Sequence, residues 1–270
     1  MFTPYVLGSQ FVTRCFSPRL FPFSYLAECL GVRYIQSVKE RRLQAILRDL
    51  AHTGKLRAAI NYGNPVLARK NVATGQPKGV SVDLALELGR RLDLPIEPVI
   101  FDAAGRVVEA IASDVWDVAF LAIDPVRATE ISFTAPYVEI EGTYVVNGDS
   151  VYRHVSELDH EGVRIAVGKG AAYDLHLTRT LRHAELVRAS TSADAMEMFL
   201  TDGLDAAAGV RQPLSHFAAT HPGLRVIEGR FTAIQQAMGM PKGRPAGFRY
   251  LNSFVEEMKA NGFVRSALAK

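Results

Sequence analysis

The fold of this 270-residue chain is indicated by the stretch FLAIDPVRATEISFTAPY, which occupies residues 120–137. It continues an almost unbroken apolar run from Val115 to Ile123, which is typical of a parallel strand covered on both faces. Asp124 and Pro125 follow in the order of a helix N-cap and a first helical residue, so we predict a short helix over Pro125–Ile131. This helix would begin at the carboxyl end of a central strand, where open α/β sheets bind their ligands.

Arg127 is the candidate binding residue of this stretch. The free N–H groups of a helix start and a guanidinium in the next turn together suit a carboxylate or another planar oxyanion. The alternative is that Arg127 only pairs with Asp124 or Glu130 on a solvated face. The local pattern leaves both interpretations open.

After Gly54 the chain alternates predicted strands with predicted helices in two series. Such alternation predicts βαβ units and mostly parallel sheets, so the fold class is α/β. Two β-rich segments, Thr143–Val146 and Phe231–Met240, are expected to cross between two lobes. The first series has strands Leu56–Asn61, Ile96–Phe101 and Val115–Ala122 with helices Ser81–Leu92 and Arg106–Ala112. The second has strands Val163–Gly168, Glu185–Arg188, Asp205–Val210 and Leu224–Ile227 with helices Ala171–Arg182, Ala193–Thr201 and Pro213–Ala219. Helices Phe248–Asn261 and Val264–Ala269 then join the first lobe.

These motifs resemble the amino-acid type (family 3) of periplasmic solute-binding protein, the receptor of ABC importers. Residues 133–137 match the Phe-Ser/Thr-x-Pro-Tyr stretch of that family, residues 55–61 look like its first strand, and residues 79–88 look like its G-x-x-x-D-L helix entry. The likeness runs from about Gly54 to the C-terminus. It implies a type II periplasmic-binding-protein fold, in which two crossing segments join two lobes, each a mostly parallel sheet flanked by helices.

The expected domain boundaries follow from this resemblance and from the two series. Residues 54–142 and 237–270 are expected to form lobe 1, and residues 143–236 to form lobe 2. Residues 1–53 are expected to form an N-terminal extension and a leading amphipathic helix over Val38–Asp49. The first part of the extension holds Cys15 and Cys29 and shows neither a helical nor a strand period, and no clean signal peptide is recognisable in it.

The chain departs from the family pattern at three cleft positions. The hydroxyl residue that the family usually carries five residues before its arginine is replaced by Ala122. The second-lobe turn, usually Gly-Thr, reads Gly-Lys-Gly-Ala-Ala over residues 168–172, and Val210 stands where the family's carboxylate for the ligand ammonium would be. A buried ammonium without a carboxylate costs several kcal/mol. A carboxylate ligand without a free amine, or an ester or amide derivative, is therefore expected.

Other residues are candidates for lining the cleft. Asn61, Tyr62 and Asn64 follow the first strand, where the alternative is a simple turn role. Gly170 and Ala171 stand at a predicted helix start, where backbone N–H groups and small side chains leave room for an anion. Arg211 offers a second cationic contact from the other lobe, the alternative being a surface arginine.

Several classes of function are excluded by composition and motif. No apolar run reaches the roughly eighteen residues of a membrane span. The net charge of +3 is spread along the chain without a basic run interleaved with aromatics, which argues against nucleic-acid binding. The histidines show no metal-ligand spacing and no Gly-x-Ser-x-Gly elbow appears, so neither a metal site, a cofactor nor a catalytic residue is predicted.

The predicted function is therefore the substrate-binding component of an ABC importer, which is not an enzyme. It would be periplasmic and monomeric, and it would present a small carboxylate solute to permease subunits. The alternatives are a cyclohexadienyl-dehydratase-like enzyme on the same fold and a sensor-type binding domain. The enzyme needs a general acid in the cleft, and the sequence nominates none there.

Overall fold

A computed structural model describes residues 23–270, with side chains from residue 36 onward. The chain from Gln44 to Lys270 forms one compact unit, and the fold below is that of this unit. The leading helix is longer than predicted, since it runs over Phe23–Leu50 rather than beginning at Val38. Cys15 lies outside the described residues, and so does the side chain of Cys29. Among the described helices, none is both long and apolar enough to cross a membrane.

The helices and strands follow one another in the predicted alternation. The helices are α1 (Phe23–Leu50), α2 (Val80–Leu92), α3 (Ala104–Glu109), α4 (Ala172–Thr180), α5 (Ser192–Thr201), α6 (Arg211–Thr220), α7 (Pro245–Ala260) and α8 (Phe263–Leu268). The strands are β1 (Leu56–Asn61), β2 (Arg69–Lys70), β3 (Pro77–Lys78), β4 (Ile96–Phe101), β5 (Val118–Ala122), β6 (Ile131–Phe133), β7 (Val138–Asn147), β8 (Arg164–Gly168), β9 (Glu185–Ala189), β10 (Ala206–Val210), β11 (Leu224–Val226) and β12 (Thr232–Pro241).

The main sheet is continuous through both lobes, in the order β4-β1-β5-β12-β7-β10-β8-β9. At one end β1 lies parallel to β4 and β5, and at the other β8 lies parallel to β9 and β10. The short strands β6 and β11 add to β12 and β7. Each lobe is thus a mostly parallel sheet flanked by helices, and the predicted two-lobed α/β class is confirmed.

The two crossing segments are the long strands β7 and β12, which pair antiparallel from Thr232↔Gly142 to Gln236↔Val138. Farther along, β12 pairs with β5 of the first lobe and β7 pairs with β10 of the second. The expected lobe boundaries at residues 142 and 236 fall inside these two strands. We keep them as the proposed boundaries.

Each lobe has its own apolar core. The core of the first lobe packs Leu56 and Leu84 against Leu251 and Phe254 of α7, so the C-terminal helices pack on this lobe. The second lobe is built around buried side chains of β8, α4 and β10, including Ile165. Burial of each large aliphatic side chain stabilises the fold by roughly 1.5–3 kcal/mol relative to exposure.

The predicted helix over Pro125–Ile131 is wrong in type and length. Asp124 does accept a hydrogen bond from the N–H of Val126 at 2.8 Å, as an N-cap would. Only a single 3₁₀ turn follows, over Arg127–Thr129, before β6 begins. The reason is tertiary, since β6 pairs with the last residues of β12, and a longer helix would lose those ladder bonds.

Candidate functional site

A cavity of about 330 Å³ lies between the two lobes. Its lining includes residues at or just beyond the carboxyl ends of β1, β4 and β5 in the first lobe and of β8, β9 and β10 in the second. This is where parallel α/β sheets place their ligands. The volume is at the lower end of the range for small-molecule sites, so it suits a small solute.

Arg127 lines this cavity and is 2% exposed. Its Nη1 donates to the carbonyl oxygen of Ala122 at 3.0 Å, and its Nη2 donates to that of Gly170 at 2.8 Å. Its Nε is buried and has no hydrogen-bond partner. Burial lowers the pKa of this guanidinium to about 10, and the negative charge of Asp124 opposes that shift.

The alternative of a solvated ion pair does not describe Arg127. Asp124 is 3% exposed and pairs with Arg179 at 2.7 Å. Arg127 makes no ion pair with any carboxylate of the described residues. A buried cation without an ion pair of its own is costly, and a ligand carboxylate would stabilise it with charge-assisted hydrogen bonds.

Backbone atoms of the two lobes lie close together beside Arg127. A methyl group built on Gly105 of α3 would lie 3.1 Å from the carbonyl oxygen of Lys169. One built on Gly170 would lie 2.9 Å from the Cα of Gly105. The Arg179–Asp124 ion pair also crosses between the lobes, because α4 carries Arg179 and the segment after β5 carries Asp124. Glycine at residue 105 thus permits the close approach.

Five other predicted residues line the cavity with Arg127: Asn61, Tyr62, Asn64, Ala122 and Ala171. The Oδ1 of Asn61 also accepts from the N–H of Gly63 at 2.9 Å, so this residue has both the lining role and the turn role. The Oδ1 of Asn64 is buried and has no hydrogen-bond partner. Asn64 therefore has a side-chain oxygen without a hydrogen-bond partner in the cavity lining.

The expectation that the turn before α4 offers N–H donors to a ligand needs correction. The N–H of Gly170 donates to Asp174 Oδ2 at 2.8 Å. The N–H groups of Lys169 and Ala171 donate to the carbonyls of Ala189 and Gly168. Gly170 is not among the residues that line the cavity, and its carbonyl accepts from Arg127 instead.

Arg211 also differs from its predicted role. Its Nε donates to Glu141 Oε2 at 2.6 Å and its Nη2 to the carbonyl oxygen of Gly229 at 2.6 Å. It is not a lining residue, whereas its neighbour Val210 is. The guanidinium of Arg211 therefore binds the crossing strand β7 and does not reach the cavity.

The sequence prediction missed several polar lining residues. Asp102 is the only carboxylate in the described lining; it accepts from Arg106 Nη1 at 2.6 Å, and its side chain is 53% exposed. Thr191 and Ser192 follow β9 and line the second-lobe side. Their positions just after the end of a strand could have identified them as lining residues from the sequence. Gln236, on the crossing strand β12, has no such local signal.

A group of metal-ligand type lies outside the cavity. His52, Asp114 and Asp117 bring their ligand atoms within 4.8 Å of one another. The guanidinium groups of Arg57 and Arg244 pair with both aspartates, at 2.8–3.3 Å. The carboxylates are thus already compensated, which favours a structural ion network over a metal site.

The family model of the bacterial extracellular solute-binding proteins, family 3, matches residues 56–270. A sequence comparison with curated proteins finds no match.

Solved structures resemble the chain in fold. A mutant of ArgBP from T. maritima has a TM-score of 0.71 at 22% identity, with 83% of this chain and 97% of that chain covered. A substrate-binding protein of an amino acid ABC transporter from Streptococcus pneumoniae, bound to L-arginine, has a TM-score of 0.70 at 19% identity and covers 84% and 96%. The ancestral amino acid-binding protein AncCDT-1, a precursor of cyclohexadienyl dehydratase, has a TM-score of 0.69 at 21% identity and covers 82% and 96%.

Proposed function

The chain belongs to the bacterial extracellular solute-binding proteins of family 3, and from this premise we propose that it is the substrate-binding component of an ABC importer for a small carboxylate-bearing solute. The solute, an amino-acid derivative or an organic acid, would bind in the interlobe cavity. The single observation that carries this proposal is the buried Arg127, whose guanidinium faces the cavity without a carboxylate partner among the described residues.

A carboxylate would satisfy Arg127 in two ways. It would neutralise a cation that burial already disfavours, and it would accept from the unpartnered Nε. Each hydrogen bond to a charged group contributes about 1.5–3 kcal/mol. The protein would then present this solute to permease subunits from the periplasm, as a monomer whose lobes close on the ligand. Family membership supports the transport role and the extracytoplasmic location.

A dehydratase-like enzyme is the second candidate, because AncCDT-1 is described as a precursor of cyclohexadienyl dehydratase. Such a reaction needs a general acid in the cavity. Asp102 is the lining carboxylate, but it is half-exposed and paired with Arg106. Because Asp102 is neither buried nor unpaired, binding is the better-supported function.

The test is identification of the ligand that co-purifies with the native protein. Mass spectrometry under native conditions is expected to find a small molecule that carries a carboxylate, and the Arg127→Ala variant is expected to lose it. A co-purified ligand without an acidic group, or one that the variant retains, would contradict the proposal. Incubation with prephenate, a cyclic carboxylate, is expected to release no product.

A further inference from the structure

One part of the second-lobe side of the cavity is apolar, whereas Lys169, Thr191 and Ser192 line another part of it. The apolar part includes Met196 of α5, Ala208 and Val210 of β10, Pro213 and Leu214 of α6, and Ile234 of β12. Leu214 is 1% exposed and Val210 is 9% exposed, so this wall is continuous with the core of the lobe. A ligand group that lies against it leaves water for an apolar surface, which favours a hydrocarbon group.

The charges of the cavity disfavour a cationic ligand group. Arg127 and Lys169 are the lining cations, whereas the one carboxylate of the described lining, Asp102, is half-exposed and already paired with Arg106. Once a ligand carboxylate has paired with Arg127, an ammonium elsewhere on the ligand would lie in the interlobe cavity without a buried counter-charge. Such burial is strongly unfavourable.

The side chain of Asn64 is a neutral polar group of the cavity lining and cannot supply the counter-charge of an ammonium. Its side-chain amide has a buried atom without a partner. The oxygen and nitrogen of an amide exchange places by a half-turn, so this group can donate to an oxo or hydroxyl oxygen as well as accept from a neutral N–H. A neutral oxygen therefore fits where an ammonium would remain uncompensated.

We propose that the solute is a monocarboxylate with an apolar body and a neutral oxygen in place of the amine, that is, an aliphatic 2-oxo or 2-hydroxy acid. This inference rests on the proposed function, since Arg127 binds the carboxylate. The apolar wall around Val210 and Leu214 selects the body of the ligand. A cavity of about 330 Å³ is large enough for an acid of roughly the size of leucine.

The proposal has two parts, the neutral oxygen in place of the amine and the apolar body of the ligand. Matched probes test both parts by calorimetry on the native protein from which bound ligand has been removed. Leucine and 4-methyl-2-oxopentanoate share a carbon skeleton and differ only at the second carbon, which carries an ammonium group in leucine and an oxo group in the other acid. Pyruvate keeps the 2-oxo acid but lacks the body. We expect 4-methyl-2-oxopentanoate to bind at least tenfold more tightly than either of the others, and arginine to bind more weakly still.

Two methionines of α5 provide a matched pair of variants. Met196 lines the cavity, whereas Met198 does not, although both pack against the same apolar cluster of the second lobe. Met196→Gln is expected to weaken binding of 4-methyl-2-oxopentanoate by about tenfold and to leave pyruvate unchanged. Met198→Gln is expected to leave both affinities unchanged.

The outcomes separate the inference from the proposed function. If binding depends on Arg127, three results would each overturn the inference alone. The first is that leucine or arginine binds as tightly as 4-methyl-2-oxopentanoate, and the second is that pyruvate does so. The third is that the two methionine variants have equal effects. Failure of every carboxylate to bind, or binding that survives Arg127→Ala, would overturn the proposed function as well.

Discussion

Arg127 of the first lobe donates a hydrogen bond across the cleft to the carbonyl oxygen of Gly170 in the second, at 2.8 Å. The same guanidinium lines the cavity and keeps its Nε without a partner. One side chain therefore both lines the cavity and bonds the two lobes. Under the proposed function, a carboxylate bound to this guanidinium would also fix the group that holds the second lobe.

Replacing Arg127 is expected to remove most of the affinity for a carboxylate. Arg127→Ala deletes charge-assisted hydrogen bonds worth about 1.5–3 kcal/mol each. Since 1.4 kcal/mol corresponds to a factor of ten, calorimetry should show a loss of about a hundredfold or more. Arg90→Ala, on the exposed face of α2, is the control and should bind normally. Unchanged binding by Arg127→Ala would contradict the assignment.

A single carboxylate at residue 210 is expected to admit free α-amino acids. Val210 lines the cavity and is the N-cap residue of α6, a position where Asp and Asn are both favourable. Val210→Asp should gain measurable affinity for leucine, because it supplies the counter-charge for the ammonium. Val210→Asn caps the helix equally without that charge and should gain none. Equal behaviour of the two variants would show that charge is not what excludes amino acids.

Adding one methyl group at Gly105 is expected to hinder closure. The methyl would lie 3.1 Å from the Lys169 carbonyl oxygen and 3.3 Å from the Gly170 Cα, so the closed form of Gly105→Ala would be strained by about 1–3 kcal/mol. Ligand affinity should fall by about tenfold. The melting temperature of the unliganded protein should not fall, since alanine favours a helix over glycine. A parallel fall of affinity and melting temperature would indicate general damage instead.

The ion pair between Arg179 and Asp124 is expected to act on affinity through Arg127. Arg179→Met breaks a contact between the lobes and frees the buried Asp124 carboxylate to compete with the ligand for Arg127. Because the side chain of Arg179 is two-fifths exposed, the ion pair contributes about 1 kcal/mol. A calorimetric ligand titration should therefore show a roughly fivefold loss of affinity. The double variant with Asp124→Asn should recover affinity. If the double variant bound the ligand more weakly than Arg179→Met does, competition between Asp124 and the ligand for Arg127 would be excluded.

Carboxylate affinity is expected to fall as the pH rises through about 10. Burial lowers the pKa of the Arg127 guanidinium to about 10 in the unliganded protein, and only its protonated form attracts an anion. Affinity should therefore be constant from pH 7 to about 9 and drop by roughly tenfold for each further unit above 10. Lys169→Met removes the other lining cation as a control, and its affinity should depend on pH in the same way as that of the native protein. A flat profile would contradict a deprotonating Arg127.

Most of the fold follows from local sequence signals. Strands Leu56–Asn61 and Ile96–Phe101 match their predicted bounds, because Gly54 and Pro95 interrupt the chain just before them and their apolar runs are short. The βαβ alternation implied parallel sheets, and the strand-end rule then placed Arg127, Asn61 and Asn64 near one cleft.

Tertiary structure decided the details of the site. The segment after Arg127 becomes β6 because β12, more than a hundred residues later in the sequence, offers it a ladder. Arg211 is held by Glu141 and the N–H of Gly170 by Asp174, so both groups are already occupied within the protein. Arg127 has no carboxylate partner from Asp124, three residues before it, because Asp124 pairs with Arg179 of the other lobe, and its Nε stays unpartnered.

The sequence by itself determined most of the elements and which side chains stand at strand ends, since helix caps, turn residues and apolar periods act between near neighbours. Only the tertiary structure decided which of those side chains remain available. A hydrogen-bonding group is satisfied by whichever partner comes within reach. In this two-lobed fold Gly170, which bonds Arg127, and Glu141, which bonds Arg211, belong to segments far away in the chain.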